Sequence, residues 1–202
     1  MDAARIRAKF GGNYCADENT FKMGIDLRFT SRIAERFRGL RVLETCTGAG
    51  FSTIALAREA ARVTTVEIEP RHREQARKNL EAAGVLGRVT LVAGDILDEV
   101  LWAELPEFDS AFLDPDWAVS GSAHVHRFLH STTRPPADRL LARVLRATPN
   151  VALVLPPDLD PQELAALPQH ERQKLFLDGS HELFCLYFGQ LAACVGETEL
   201  RV

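Results

Sequence analysis

"VLETCTGAGFSTIALA", residues 42–57, decides the fold of this chain. A short apolar run ends on an acid, Glu44; Gly48 and Gly50 follow, and then Ile, Leu and Ala recur at helical spacing. The pattern reads as strand, tight turn and helix. Glycines suit the turn because the backbone must reverse sharply and leave room for close approach without a Cβ in the way. Taken alone, a G-x-G after a strand fits either a nucleotide-like ligand or a plain strand-to-helix connection.

Outward from this unit the rhythm repeats. The runs 41–46, 61–68, 87–94, 108–114 and 150–156 are β-rich, and between them "FSTIALAREA", "EPRHREQARKNLEAAG" and "PPADRLLARVLRAT" place apolar residues on one helical face. Alternating strands and helices imply parallel pairing through right-handed crossovers. The rhythm breaks in "QKLFLDGSHELFCLYFGQLAA", two strands around Asp178-Gly179-Ser180. The expected fold is therefore α/β, a doubly wound, mostly parallel seven-stranded sheet with a C-terminal antiparallel hairpin. Residues 118–136 form the longest expected loop.

With 202 residues, 46% of them hydrophobic, the chain fits one domain, 1–202, and can bury a full core. Residues 1–39 are expected as a helical extension. Four cysteines, Cys15, Cys46, Cys185 and Cys194, lack metal-ligand spacing and read as free, buried thiols of a reducing compartment. No metal site is expected. The opening MDAARIRAKF is not a secretory leader and no apolar run nears a membrane span, so a soluble, cytoplasmic protein is expected. A net charge of −4 argues against unspecific grip on long nucleic acid, but leaves room for a local basic groove.

What surrounds the glycines separates the possible ligands. A dinucleotide fingerprint calls for a third glycine where Thr53 stands, and pyrophosphate gains nothing from the carboxylate of Glu44. A sulfonium and an amino group do gain from it, which points to S-adenosylmethionine rather than NAD. The second strand ends "TTVEIEP": Glu67 can accept both hydrogen bonds of a ribose diol, with Ile68 packed on adenine, while a helix-capping role suits Glu69 better. The third ends "VAGDI", where Asp95 can accept from the adenine amino group or cap a helix.

These residues resemble the class I S-adenosylmethionine-dependent methyltransferases over roughly residues 20–190, and within them the trimethylguanosine synthase group, the RNA cap guanine-N2 methyltransferases. Residues Glu44, Thr45, Cys46, Thr47, Gly48 and Gly50 look like the first motif, Glu67 the ribose acid, and Asp95 with Ile96 the adenine side. "DPDW", Asp114 to Trp117, looks like the fourth motif, "SPPWGG" in that group. The chain departs from that motif at Asp114, at Asp116 in place of the second proline, and at Ala118 and Val119 in place of Gly-Gly.

The resemblance implies methyl transfer to an exocyclic amine of an RNA base, most specifically guanine N2. Asp114 and the Pro115 carbonyl then accept the two N–H groups of the amine. Trp117 offers a face on which a base can stack, or else plugs the loop against the core. Asp116 either accepts from the guanine edge or is a solvated loop acid. In "SAHVHRF", His124 and His126 read as loop residues, and Arg127, Arg134, Lys22 and Arg28 are candidates to meet phosphates. Phe21, Met23 and Thr30 of the upstream segment are expected to touch the cofactor as a lid. Rival readings are a small-molecule or protein methyltransferase and a non-catalytic cofactor-binding module.

Overall fold

The β-branched runs form strands where the alternation places them: β1 (Arg41–Thr45), β2 (Arg62–Glu67), β3 (Val89–Ala93), β4 (Ser110–Leu113) and β5 (Val151–Leu155). A computed structural model describes residues 1–117 and 126–202; Ala118, Val119 and His124 lie outside the described residues. These fall into two compact units, Met1–Asp109 and Ser110–Val202.

In the first unit the strands lie in the order β3-β2-β1, all parallel. Glu44 stands opposite Thr65, and Glu67 opposite Ala93, so the acids of β1 and β2 sit at the same carboxyl edge. Helix α4 (Phe51–Glu59) starts at Gly50 and is buried from Phe51 to Ala57. Helix α5 (Pro70–Ala82) starts at Pro70, whose fixed φ suits a first helical position, and Glu69 caps it by accepting from the Arg71 N–H. The capping role thus belongs to Glu69, as its position suggests.

The N-terminal extension is helical: α1 (Ala3–Phe10), α2 (Glu18–Met23) and α3 (Leu27–Glu35). Asp17 and Thr20 form a reciprocal capping box at the start of α2. Ile6 and Phe10 of α1 pack with Ala49 and Phe51, and the Phe10 and Phe51 rings stack with centroids 3.5 Å apart. The extension is therefore fastened onto the glycine turn itself.

In the second unit β4 and β5 are parallel, while β6 (His170–Leu177) and β7 (Ser180–Phe188) form the expected antiparallel hairpin, β7 lying against β5. The two-residue turn has φ of +49° at Asp178 and +88° at Gly179, the paired positive angles that a tight hairpin needs. An eighth strand, β8 (Gly196–Arg201), joins the expected seven and runs parallel to β6. Its sequence, GETELR, has no apolar run: it is a charged edge strand. Helix α7 (Ala137–Val144) buries Leu140, Leu141 and Val144.

None of the four cysteines is in a disulfide, but only Cys185 is buried; Cys15 and Cys194 are exposed, which corrects the expectation of buried thiols. Among the described residues no helix is long and apolar enough to cross a membrane.

Candidate cofactor site and acceptor motif

The glycine turn is held open by its neighbours. Cys46, Gly48 and Gly50 all have positive φ, and a Cβ built on Gly48 meets nothing within 4 Å, so the turn borders open space at that point. Gly50 is crowded instead: its Cβ would lie 3.2 Å from that of Ala76 on α5. Thr45 Oγ1 is buried without a hydrogen-bond partner, a polar atom beside the turn left for a ligand or water to satisfy.

Glu67 is tied directly to this turn. Its Oε2 accepts from the Gly48 N–H at 2.8 Å and its Oε1 from the Glu69 N–H at 2.9 Å. Burial pushes its carboxyl up, but His72 and the N–H groups of Glu69 and Gly48 outweigh that and hold it below the ordinary value. His72 Nδ1 stands 3.8 Å from Oε1, an electrostatic contact that raises the imidazole's own pKa. Glu67 is thus an anchored anion, and each oxygen keeps a lone pair for a further donor.

Glu44 is different. It is 1% exposed, and its Oε2 accepts from Thr53 Oγ1 at 2.6 Å. Thr65 also bonds its carboxyl and is itself 2.5 Å, hydroxyl to hydroxyl, from Thr47. Burial pushes the Glu44 carboxyl up to about 7, against the Thr53 and Thr65 bonds and with the Glu67 charge adding to the rise. The residue standing where a dinucleotide site has its third glycine, Thr53, is therefore the partner of the strand-end acid. Glu44 reaches the turn through threonine hydroxyls.

Ile68 is 64% exposed, an apolar face free to take a flat ring beside Glu67. Asp95 is exposed and Ile96 buried. Asp95 accepts from the Leu97 N–H, and the helix-capping role falls to Asp98, which starts α6 (Glu99–Glu104). Asp95 also lines a cavity of about 420 Å³ with Val92, Gly94, Leu101 and Pro106. In the extension, Phe21 is half-buried, edge-on to Phe10 with the Arg5 guanidinium over its ring. Met23 ends α2, half-buried, and Thr30 is buried, its hydroxyl bonded to the Leu27 carbonyl. Asn79 is a fastener the sequence did not reveal: its amide bonds the Cys15 N–H, the Cys15 carbonyl and the Ala49 carbonyl.

In the second unit the fourth motif follows β4 directly, with Asp114 half-buried and Pro115 buried. Asp116 is bound to Arg134 by two backbone hydrogen bonds of 2.9 Å and by an Nη2–Oδ2 contact of 2.6 Å. Trp117 is half-buried and meets the His126 ring edge-on at 6.0 Å. The four cations named as phosphate candidates are all ion-paired: Arg134 with Asp116, Arg127 with Glu163, Lys22 with Glu18 and Arg28 with Asp26. Among the described residues no cluster of His, Cys, Asp or Glu is arranged to hold a metal ion.

A family model described as RNA cap guanine-N2 methyltransferase matches residues 40–190. Catechol O-methyltransferase of Mycobacterium tuberculosis is 45% identical over 92 residues, 44% of this chain and 42% of that protein. The matched stretch is thus less than half the length of that relative. Among solved structures, a putative methyltransferase from Porphyromonas gingivalis W83 superposes with a TM-score of 0.76 at 19% identity, over 94% of this chain and 48% of that one. A 16S rRNA N2 methyltransferase from T. thermophilus, in complex with AdoMet and guanosine, gives 0.58 at 23% identity, over 86% and 43%. At these identities the two structures establish the fold alone. Fold, glycine turn and family match together define the class, the Rossmann-like S-adenosylmethionine-dependent methyltransferases. Within that class, the chain belongs to the RNA cap guanine-N2 methyltransferase family.

The residues present fit the cofactor. The space beside Gly48, the anchored anion of Glu67 and the exposed face of Ile68 offer an open backbone, carboxylate acceptors and an apolar face.

Proposed function

We propose that this protein transfers a methyl group from S-adenosylmethionine to an exocyclic amine of an RNA base, guanine N2 foremost. The observation that carries the reading is the Asp114-Pro115-Asp116-Trp117 motif following β4 in a chain of this family. When bound, the cofactor supplies an electrophilic methyl on a sulfonium. Glu67, held by the Gly48 and Glu69 N–H groups, accepts from the ribose hydroxyls, Ile68 covers the adenine, and Asp95 accepts from its amino group. Glu44 orders the turn through Thr53, Thr65 and Thr47.

On the acceptor side, the Asp114 carboxylate and the Pro115 carbonyl take the two N–H groups of the amine. That interaction aims the nitrogen lone pair and favours the positive charge that develops there. Pro115 fixes φ and with it the direction of the carbonyl. Trp117 stacks the base, a contact worth ~1–3 kcal/mol. The methylated amine sheds its proton readily, so no dedicated base is required.

A small-molecule acceptor is the second reading, favoured by two observations: the catechol O-methyltransferase relative, and the pairing of all four candidate phosphate cations with acids. Tritiated methyl transfer to total RNA, protein and metabolite fractions decides between them. Label in RNA that Asp114→Ala and Trp117→Ala abolish supports the first reading; label confined to the metabolite fraction overturns it.

A further inference from the structure

Asp116 stands where the resembling group has a proline, so something other than a pyrrolidine ring must fix the chain between Pro115 and Trp117. The structure supplies it from 18 residues downstream. The Asp116 N–H donates to the Arg134 carbonyl and the Arg134 N–H to the Asp116 carbonyl, an isolated antiparallel bridge, and the guanidinium closes on Oδ2. The Asp116 side chain is 16% exposed and that of Arg134 is 75% exposed.

We infer that the Asp116–Arg134 pair is a positioning device that sets the direction of Trp117 for the methyl acceptor. The backbone bridge pairs residue 116 with residue 134, and the ion pair fixes the rotation of residue 116, whose neighbour is Trp117. The guanidinium at 2.6 Å from Oδ2 holds the Asp116 carboxylate in one orientation. The proline of the resembling group restricts the backbone covalently, and here a charged clasp does the same. The consequence is a salt-sensitive acceptor grip, because three-quarters of the arginine is in solvent.

The inference rests on the proposed function, and its test has a readout that does not. With Trp102→Phe, Trp117 is the sole tryptophan, since the chain has two. In that background Arg134→Gln, a change at an exposed side chain that leaves the fold intact, should raise acrylamide quenching of Trp117 about twofold, because an ordered indole is screened and a released one is not. Arg134→Lys should restore part of the wild-type value, and so should the exchange of Asp116→Arg with Arg134→Asp. Methyl transfer by Arg134→Gln should fall about threefold at limiting RNA and stay within twofold at saturating RNA, the signature of a weakened acceptor grip. S-adenosylhomocysteine affinity should not change. Quenching unaltered in both Arg134→Gln and Asp116→Ala overturns the inference. Absence of RNA methylation by the wild-type protein overturns the function while leaving the quenching result to decide the positioning claim.

Discussion

Replacing Glu44 by glutamine separates its charge from its shape. The amide keeps an oxygen to accept from Thr53 but cannot ionise. In the folded protein the Glu44 carboxyl has been pushed from 4.5 to about 7, chiefly by burial. In the unfolded chain it returns to the ordinary value. A folded-state pKa above the unfolded one means that the neutral acid's contribution is fully present below 4.5 and is lost as pH rises through 7. The difference of about 2.5 units, at 1.36 kcal/mol each, amounts to roughly 3 kcal/mol of stability that the wild type forfeits in alkali. Glu44→Gln forfeits none of it. Urea unfolding of both proteins should give closely similar stabilities near about pH 4 and a variant more stable by roughly 3 kcal/mol near about pH 8.5. Acid effects of the other carboxylates cancel in the difference. A stability difference independent of pH would refute the claim that burial raises the Glu44 carboxyl's pKa beside the glycine turn.

Glu67→Ala removes the proposed diol acceptor and the anchor of the Gly48 N–H, so calorimetric affinity for S-adenosylhomocysteine should drop about 10- to 100-fold, a net loss of roughly 1.5–3 kcal/mol in charge-assisted bonding; a loss under about threefold would be inconsistent with the proposed role. Asn79→Ala strips three hydrogen bonds joining the extension to the turn and to α5, costing about 2–3 kcal/mol, and amide exchange over residues 3–23 should quicken more than in β1 to β3. Uniform acceleration would mean that the extension is not separately fastened. Gly179→Ala forces a side chain into φ +88° and should lower stability by about 1 kcal/mol, although its Cβ meets open space; an unchanged urea midpoint would contradict the turn assignment.

Strands β1 to β5 were legible because each is a short run of β-branched and apolar residues closed by a turn residue, and the hairpin because Asp178-Gly179 announces its own geometry. Strand β8 was not, since an edge strand with charge at alternate positions has the composition of a loop. The strand-end acids were legible as residues and not as partners. Nothing local distinguishes Glu67, held by two backbone N–H groups, from Glu44, closed in by threonine hydroxyls; the distinction arises from Thr53 and Thr65, which only the packing of α4 and β2 brings to Glu44. His72 and Asn79 read as polar positions of an ordinary amphipathic helix. The clasp of Arg134 on Asp116 was not legible, because the partner lies 18 positions away.

Incubating the purified protein with tritiated S-adenosylmethionine and total RNA, and then resolving the labelled nucleosides, shows directly whether guanine N2 of RNA is the methyl acceptor. Label is expected in N2-methylguanosine and is expected to be lost in Asp114→Ala and in Glu67→Ala. Label absent from every nucleoside while a metabolite fraction is methylated would contradict RNA as the acceptor.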